Sequence, residues 1–186
     1  AKARTELAGY YAHIEATDRA LGRLLEKTEP WAGSTWVVFT SVHGDMHGAH
    51  GLFRKGWPYE ESIRVPLLLR PPRRTGLTGR VDESPVSLLD LPGLMLAETG
   101  ETIPAEREPF ARISMPVGVT LPHQCDRAWR GIRTKSRKLV LNHDGSPWLF
   151  FDLESDPLEM RNLAGDPARA GEIKEMRMLL EKPRSG

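Results

Sequence analysis

Residues 39–56 read Phe39-Thr40-Ser41-Val42-His43-Gly44-Asp45-Met46-His47-Gly48-Ala49-His50-Gly51-Leu52-Phe53-Arg54-Lys55-Gly56. An apolar run, Trp36-Val37-Val38-Phe39, leads into this segment and reads as a strand buried on both faces. The strand then opens into a glycine-rich loop with three histidines and a lysine. Imidazole is a metal ligand and proton carrier, and an ammonium is a point charge suited to an oxyanion. Open α/β sheets place ligand sites where strands end, so the loop is the candidate site. One residue is out of keeping with it. Val42 stands beside His43, where a carboxylate would complete a metal-binding pair, and valine offers no donor atom.

Outward from the loop, residues 4–27 carry Leu7, Tyr10, Tyr11, Ile14, Leu21, Leu24 and Leu25 on one helical stripe. Pro30 and the Ala32-Gly33-Ser34 turn end that helix. A helix followed by a buried strand argues for α/β layering. Residues 65–69 read as a further strand with Pro66 at its start or edge. Pro71-Pro72-Arg73-Arg74-Thr75-Gly76 is a loop by composition. Residues 87–98 read as a short buried helix, with Asp90 as N-cap, Pro92 in the first turn and Gly100 as the stop. Beyond about residue 101 the pattern changes to short runs at 110–115, 128–133, 138–142 and 148–153. These read as antiparallel strands, the last two joined by an Asp144-Gly145 turn. A helix over 168–182, with Ile173, Met176, Leu179 and Leu180 on one face, closes the chain. The expected organisation is an α/β part over residues 1–104 and a small subdomain, antiparallel sheet plus helix, over 105–186.

Composition narrows the function classes. The 26 Lys and Arg nearly cancel the 25 Asp and Glu, which gives no charge argument for nucleic acid or a membrane surface. No apolar run is long enough for a transmembrane helix. Cys125 is the single cysteine, so there is no internal disulfide framework.

The loop and its continuation resemble the sulfatase family, within the alkaline phosphatase superfamily. The residues that carry the likeness are Thr40-Ser41, His43-Gly44-Asp45-Met46, Gly48, His50-Gly51-Leu52 and Lys55-Gly56, followed by Tyr59-Glu60-Glu61 and Arg64-Val65-Pro66-Leu67. Residues 9–18 look like the helix that precedes this motif in the family. Residues 129–134 and 151–157 look like its carboxy-terminal subdomain. The likeness covers most of the chain but only the later part of a sulfatase. The resemblance implies part of an α/β/α sandwich with a smaller antiparallel sheet and helix.

It also implies chemistry. Lys55 falls where the family places a lysine on the sulfate or phosphoryl oxygen, and His50 matches a histidine near the substrate or in the loop that holds it. His43 falls in a metal pair whose other member, an Asp, is replaced here by Val42. The implied cofactor is a divalent cation, calcium foremost, with magnesium or manganese as alternatives. The implied nucleophile is a formylglycine from a C-x-P-S-R or C-x-A-S-R motif, which does not surround Cys125. The expected substrate of the intact enzyme is a sulfate ester. A phosphonate or phosphate ester hydrolase and a degenerate anion-binding protein without catalysis are the alternatives. The chain is expected to be inactive alone.

The remaining candidates have structural readings. His47 and His143 are expected to be exposed, and His13 and His123 have no motif support. Arg54 reads as a surface charge. Asp45 is expected to cap the loop through its own backbone. Of Glu60 and Glu61, one is expected in an ion pair with Arg64 and the other in solvent.

Overall fold

A computed structural model describes residues 2–98 and 108–183. In chain order the elements are α1 (Lys2–Thr28), β1 (Val37–Thr40), α2 (Glu60–Ile63), β2 (Leu67–Arg70), α3 (Leu91–Glu98), β3 (Phe110–Met115), β4 (Trp129–Thr134), β5 (Arg137–Asn142), β6 (Pro147–Asp152) and α4 (Ala170–Glu181). The chain divides into two compact units, residues 1–42 with 65–80 and residues 43–64 with 81–186. The candidate loop thus packs in the same unit as the later strands. The expected boundary at residues 104 and 105 lies outside the described residues, as does Gly100.

In the first unit, α1 ends at a 3₁₀ turn, Glu29–Trp31, that contains Pro30. β1 and β2 pair antiparallel, from Val37 opposite Arg70 to Thr40 opposite Leu67. The apolar positions have the predicted spacing but not the predicted burial. Leu7, Tyr10, Tyr11, Ile14 and Leu24 of α1 are exposed, Tyr11 by 62%. Val38 and Phe39 of β1 are exposed too, so the reading of a strand buried on both faces is overturned. Among the described residues β1 has one hydrogen-bonded neighbour, and Val38 and Phe39 keep 37% and 39% of their surface exposed.

The second unit holds the core. β3, β4, β5 and β6 form a four-stranded antiparallel sheet in sequence order. Strand alternation divides its side chains between two faces. Phe110, Ile132, Leu139, Leu141 and Phe150 pack with Ile173, Met176 and Leu180 of α4. Trp129, Val140, Leu149 and Phe151 face the other way, with Cys125, and pack with Trp57, Tyr59 and Ile63 of the candidate loop. β5 is therefore buried on both faces, which explains its unbroken apolar run. Gly131 in β4 is required there, because an added Cβ would stand 2.3 Å from Leu139 O.

The ends of these elements are closed by side chains. The turn at Asp144-Gly145 forms as expected, with Gly145 at φ 83°. Asp166 caps the turn into α4 by accepting from Ala168 N at 2.9 Å. Arg112 of β3 donates to Leu180 O at 2.7 Å and Lys182 O at 3.0 Å, satisfying carbonyls at the C-terminal end of α4. Asn162 covers the edge of β6 by accepting from Phe150 N at 3.0 Å and donating to Trp148 O at 2.9 Å. Ahead of α3 the cap is Ser87, not Asp90. Ser87 and Asp90 form a reciprocal capping box, because the residue whose backbone is extended is Ser87. The segment is half-buried, with Leu89 exposed, so the buried-helix reading also needs correction.

Phe150 makes no surface contact with water and sits under α4. Phe150→Ala is expected to lower unfolding free energy by about 3–5 kcal/mol in urea titration, and a loss under about 1 kcal/mol would contradict this packing.

Candidate active site

The loop from His43 to Lys55 is folded on itself and on α2. Gly44 N donates to Ser62 O at 2.8 Å, and Gly56 N donates to Ser62 Oγ at 3.1 Å. Buried Ser62 thus ties together the neighbours of His43 and Lys55, which are far apart in sequence. Met46 N donates to Arg54 O at 2.9 Å and Gly48 N to Leu52 O at 2.8 Å, closing the loop between them. At Gly44 an added Cβ would lie 1.9 Å from Glu61 O, so only glycine allows the approach. Left-handed backbone recurs at His47, Gly48, His50, Gly51, Arg54 and Gly56. For the non-glycine members this conformation costs energy that surrounding contacts must supply.

Lys55 is exposed, and its side chain has no hydrogen bond or ion pair with a described residue. His50 is held. Its ring stacks on Tyr59 at 4.0 Å between centroids, and Nε2 lies 3.9 Å from Glu61 Oε2. His43 is exposed, with Nδ1 2.8 Å from Gly44 O. A carbonyl only accepts, so that contact calls for a proton on Nδ1. Val42 is 87% exposed and presents no donor atom. Asp45 accepts from His47 N at 3.0 Å, the local cap the sequence predicts, and His47 is exposed.

A hard divalent cation asks for six or more oxygen ligands. Among the described residues no group of three or more His, Cys, Asp or Glu side chains could hold a metal ion. The described residues alone do not fit the expected cation. Cys125 is buried, and burial pushes its thiol up, which makes it a poor nucleophile.

The four-stranded sheet anchors this loop from below. Trp129 Nε1 donates to Gly56 O at 2.8 Å, beside Lys55. Trp57 Nε1 reaches both Phe53 O at 3.2 Å and His123 O at 3.4 Å, and the His123 ring meets Phe53 edge-on at 5.8 Å. His123 therefore lies against the loop although no motif marks it. Glu60 is not paired with Arg64. Its carboxylate accepts from Lys138 Nζ at 3.2 Å and from Arg133 Nη2 at 3.2 Å, because α2 lies over the sheet face that bears both cations. Glu159 pairs with the same Lys138 Nζ and accepts from Glu60 N at 2.8 Å.

No local pattern assigns the roles of Lys138, Arg133, Glu159, Ser62 and Tyr59 described above, although Tyr59 and Arg133 lie in segments that carry the family likeness. One signal was available. Lys138 shares its strand face with Val140, so a two-sided buried strand puts a lysine inside and requires a carboxylate partner.

The electrostatics follow from this arrangement. Burial pushes the Glu60 carboxyl up, but Lys138 and Arg133 together hold it below the usual carboxylate range. Burial wins at Glu159 and holds it above that range, against the pull of Lys138. Burial, with Glu159 and Glu61 nearby, also raises the Tyr59 phenol. Glu60 stabilises the fold through its ionised form. Its contribution to stability is complete above the ordinary glutamate value and is lost as pH falls through the lowered folded value. The stability gap between wild type and Glu60→Gln is therefore expected to narrow below about pH 4.3 in urea titrations at stepped pH, and a gap that widens with acid would contradict the assignment. Gly44→Ala is expected to destabilise the loop by about 1–3 kcal/mol, read as faster hydrogen exchange at Gly44, Gly56 and Ser62.

The chain is similar to known proteins. The Sulfatase family profile matches residues 1–100. An ulvan-active sulfatase of Formosa agariphila is 33% identical over 90% of this chain and 36% of its own length. An N-acetylglucosamine-6-O-sulfatase of Bacteroides thetaiotaomicron is 33% identical over 93% of this chain and 34% of its own. Among solved structures, the phosphonate monoester hydrolase of Agrobacterium radiobacter superposes with a TM-score of 0.75 at 26% identity, covering 92% of this chain and 39% of that one. A protein solved with its substrate D-glucosamine-2-N,6-O-disulfate superposes with a TM-score of 0.65 at 28% identity, covering 90% and 38%. The chain spans about a third of the length of these curated relatives. With the motif loop, its α2 anchor and the small antiparallel sheet all in place, the chain belongs to the sulfatase family of the alkaline phosphatase superfamily.

Proposed function

We propose that this chain is the carboxy-terminal portion of a sulfuric ester hydrolase and supplies the lysine that contacts the sulfuryl oxygens. The observation that carries the reading is Lys55. Its ammonium is exposed and unpartnered among the described residues, on a loop whose next residue, Gly56, is fixed through both its N–H and its C=O. An unpaired cation beside a fixed backbone is available to charge that grows on a nonbridging or leaving oxygen. His50, stacked and faced by Glu61, holds the loop around that cation and is a candidate to carry a proton at Nε2. His43 would give one ligand to a divalent cation, calcium first, with the other donors coming from outside the described residues. The cation would supply charge neutralisation at the substrate.

In this reading the nucleophile is not Cys125. The likeness to a phosphonate monoester hydrolase favours a second reading, a phosphonate or phosphate ester as substrate, since a tetrahedral dianion or monoanion meets the same lysine. A third, noncatalytic anion binding, is favoured by Val42 in the place of a carboxylate.

Three measurements separate them. The isolated 186-residue chain is expected to show no multiple turnover of 4-nitrophenyl sulfate, and sustained turnover would refute the assignment. In the intact enzyme, Lys55→Ala is expected to lower kcat by about 10²–10³-fold while changing stability by less than about 0.5 kcal/mol. Relative kcat/KM on 4-nitrophenyl sulfate and a phenylphosphonate monoester decides between sulfuryl and phosphoryl substrates, and absence of turnover on both leaves anion binding.

A further inference from the structure

Lys138 and Glu159 lie in the small sheet and the loop after it, outside the motif. Lys138 is fully buried, and the Glu159 side chain is 1% exposed. The register of the sheet sets Lys138 directly opposite Arg133 on β4 and opposite Phe151 on β6. Two cations opposite each other on one sheet face repel, and a carboxylate between them is required. Glu60 of α2 fills that position by accepting from both. The second carboxylate comes at a conformational cost, for Glu159 has left-handed backbone at φ 55°. Its Oε2 accepts from Glu60 N, and its Oε1 pairs with the Lys138 ammonium. Among the described residues, the hydrogen-bond and ion-pair partners of this carboxylate are Lys138 of the sheet and Glu60 N at the start of α2, so it bridges the two.

From Glu60 the connection to the candidate site is short. Tyr59 stacks on His50, and Glu61 faces the His50 ring. Ser62 holds Gly44 and Gly56. The geometry points to Lys138 and Glu159 as positioning residues: through Glu60 they fix residues 59–62, and so set the placement of His50 and of the backbone beside Lys55. As a statement about catalysis this rests on the roles of Lys55 and His50 proposed above; as a statement about the loop it does not.

The test uses the intact protein with Lys138→Met and, because that variant leaves the buried Glu159 carboxylate without its cation and can fail to fold, also Glu159→Ala, which leaves the Lys138–Glu60 pair. Amide exchange is followed at Gly44, Gly56 and Glu60 and, as the reference, at Leu139, Val140 and Phe150. The expected result is at least tenfold faster exchange at the first group than at the reference group in either folded variant. The His50 ring-proton signals, shifted by the Tyr59 ring beneath them, should move toward those of an unstacked histidine. Equal acceleration in both groups, or none in the first, with unmoved His50 signals, overturns the proposal, since a purely structural pair would loosen the sheet and loop together. Turnover is read in parallel. If wild type hydrolyses a sulfate or phosphonate ester, kcat falls in the variants with KM changed less. If wild type hydrolyses neither, the functional reading fails while the exchange result still decides the positioning.

Discussion

The Lys138 ammonium has no contact with water, and an ion in that position is tolerated only when paired carboxylates replace its hydration. Neither carboxylate comes from the strand that carries the lysine. Glu60 comes from the motif segment and Glu159 from the loop after β6, so the charge is balanced only when all three parts of the chain meet. Removing one partner leaves an uncompensated charge in a dry site, at a cost of about 3–5 kcal/mol in comparable systems. This makes the sheet face selective. Apolar residues around it, Val140, Phe151 and Tyr59, would accept many packings, but the charges accept one.

That selectivity matters because the loop above the sheet is built from conformations a free peptide rarely keeps. Three of its non-glycine residues, His47, His50 and Arg54, have left-handed backbone. Such positions persist where contacts over-determine them. Here the contacts are the Ser62 hydrogen bonds, the Trp129 indole on Gly56 O and the His50–Tyr59 stack. The four-stranded sheet is the regular element, and the candidate site residues are on the loop, a division common to sites that need precise placement.

The departure at Val42 acquires a physical meaning beside this. The loop is intact as a scaffold: its glycines, its serine anchor and its lysine are all in place. What is absent at position 42 is an oxygen donor. The chain belongs to the sulfatase family with valine, not a carboxylate, at this position.

Local patterns in the chain specified the second unit well. The four strands, the Asp144-Gly145 turn and the closing helix follow from alternation, turn chemistry and helical spacing, all of which act within a few residues. The motif likewise names His43, His50 and Lys55 as site candidates, and the structure sets them on one loop whose ends Ser62 ties together. Burial in the first unit was not legible, since the α1 stripe and the β1 run state only that apolar faces exist, and what covers them is a property of other residues. The partners of Glu60 were not legible either. A carboxylate in a motif selects among cations by distance, and only the register that sets Arg133 opposite Lys138, with α2 laid across them, decides that it pairs with residues more than 70 positions away and not with Arg64.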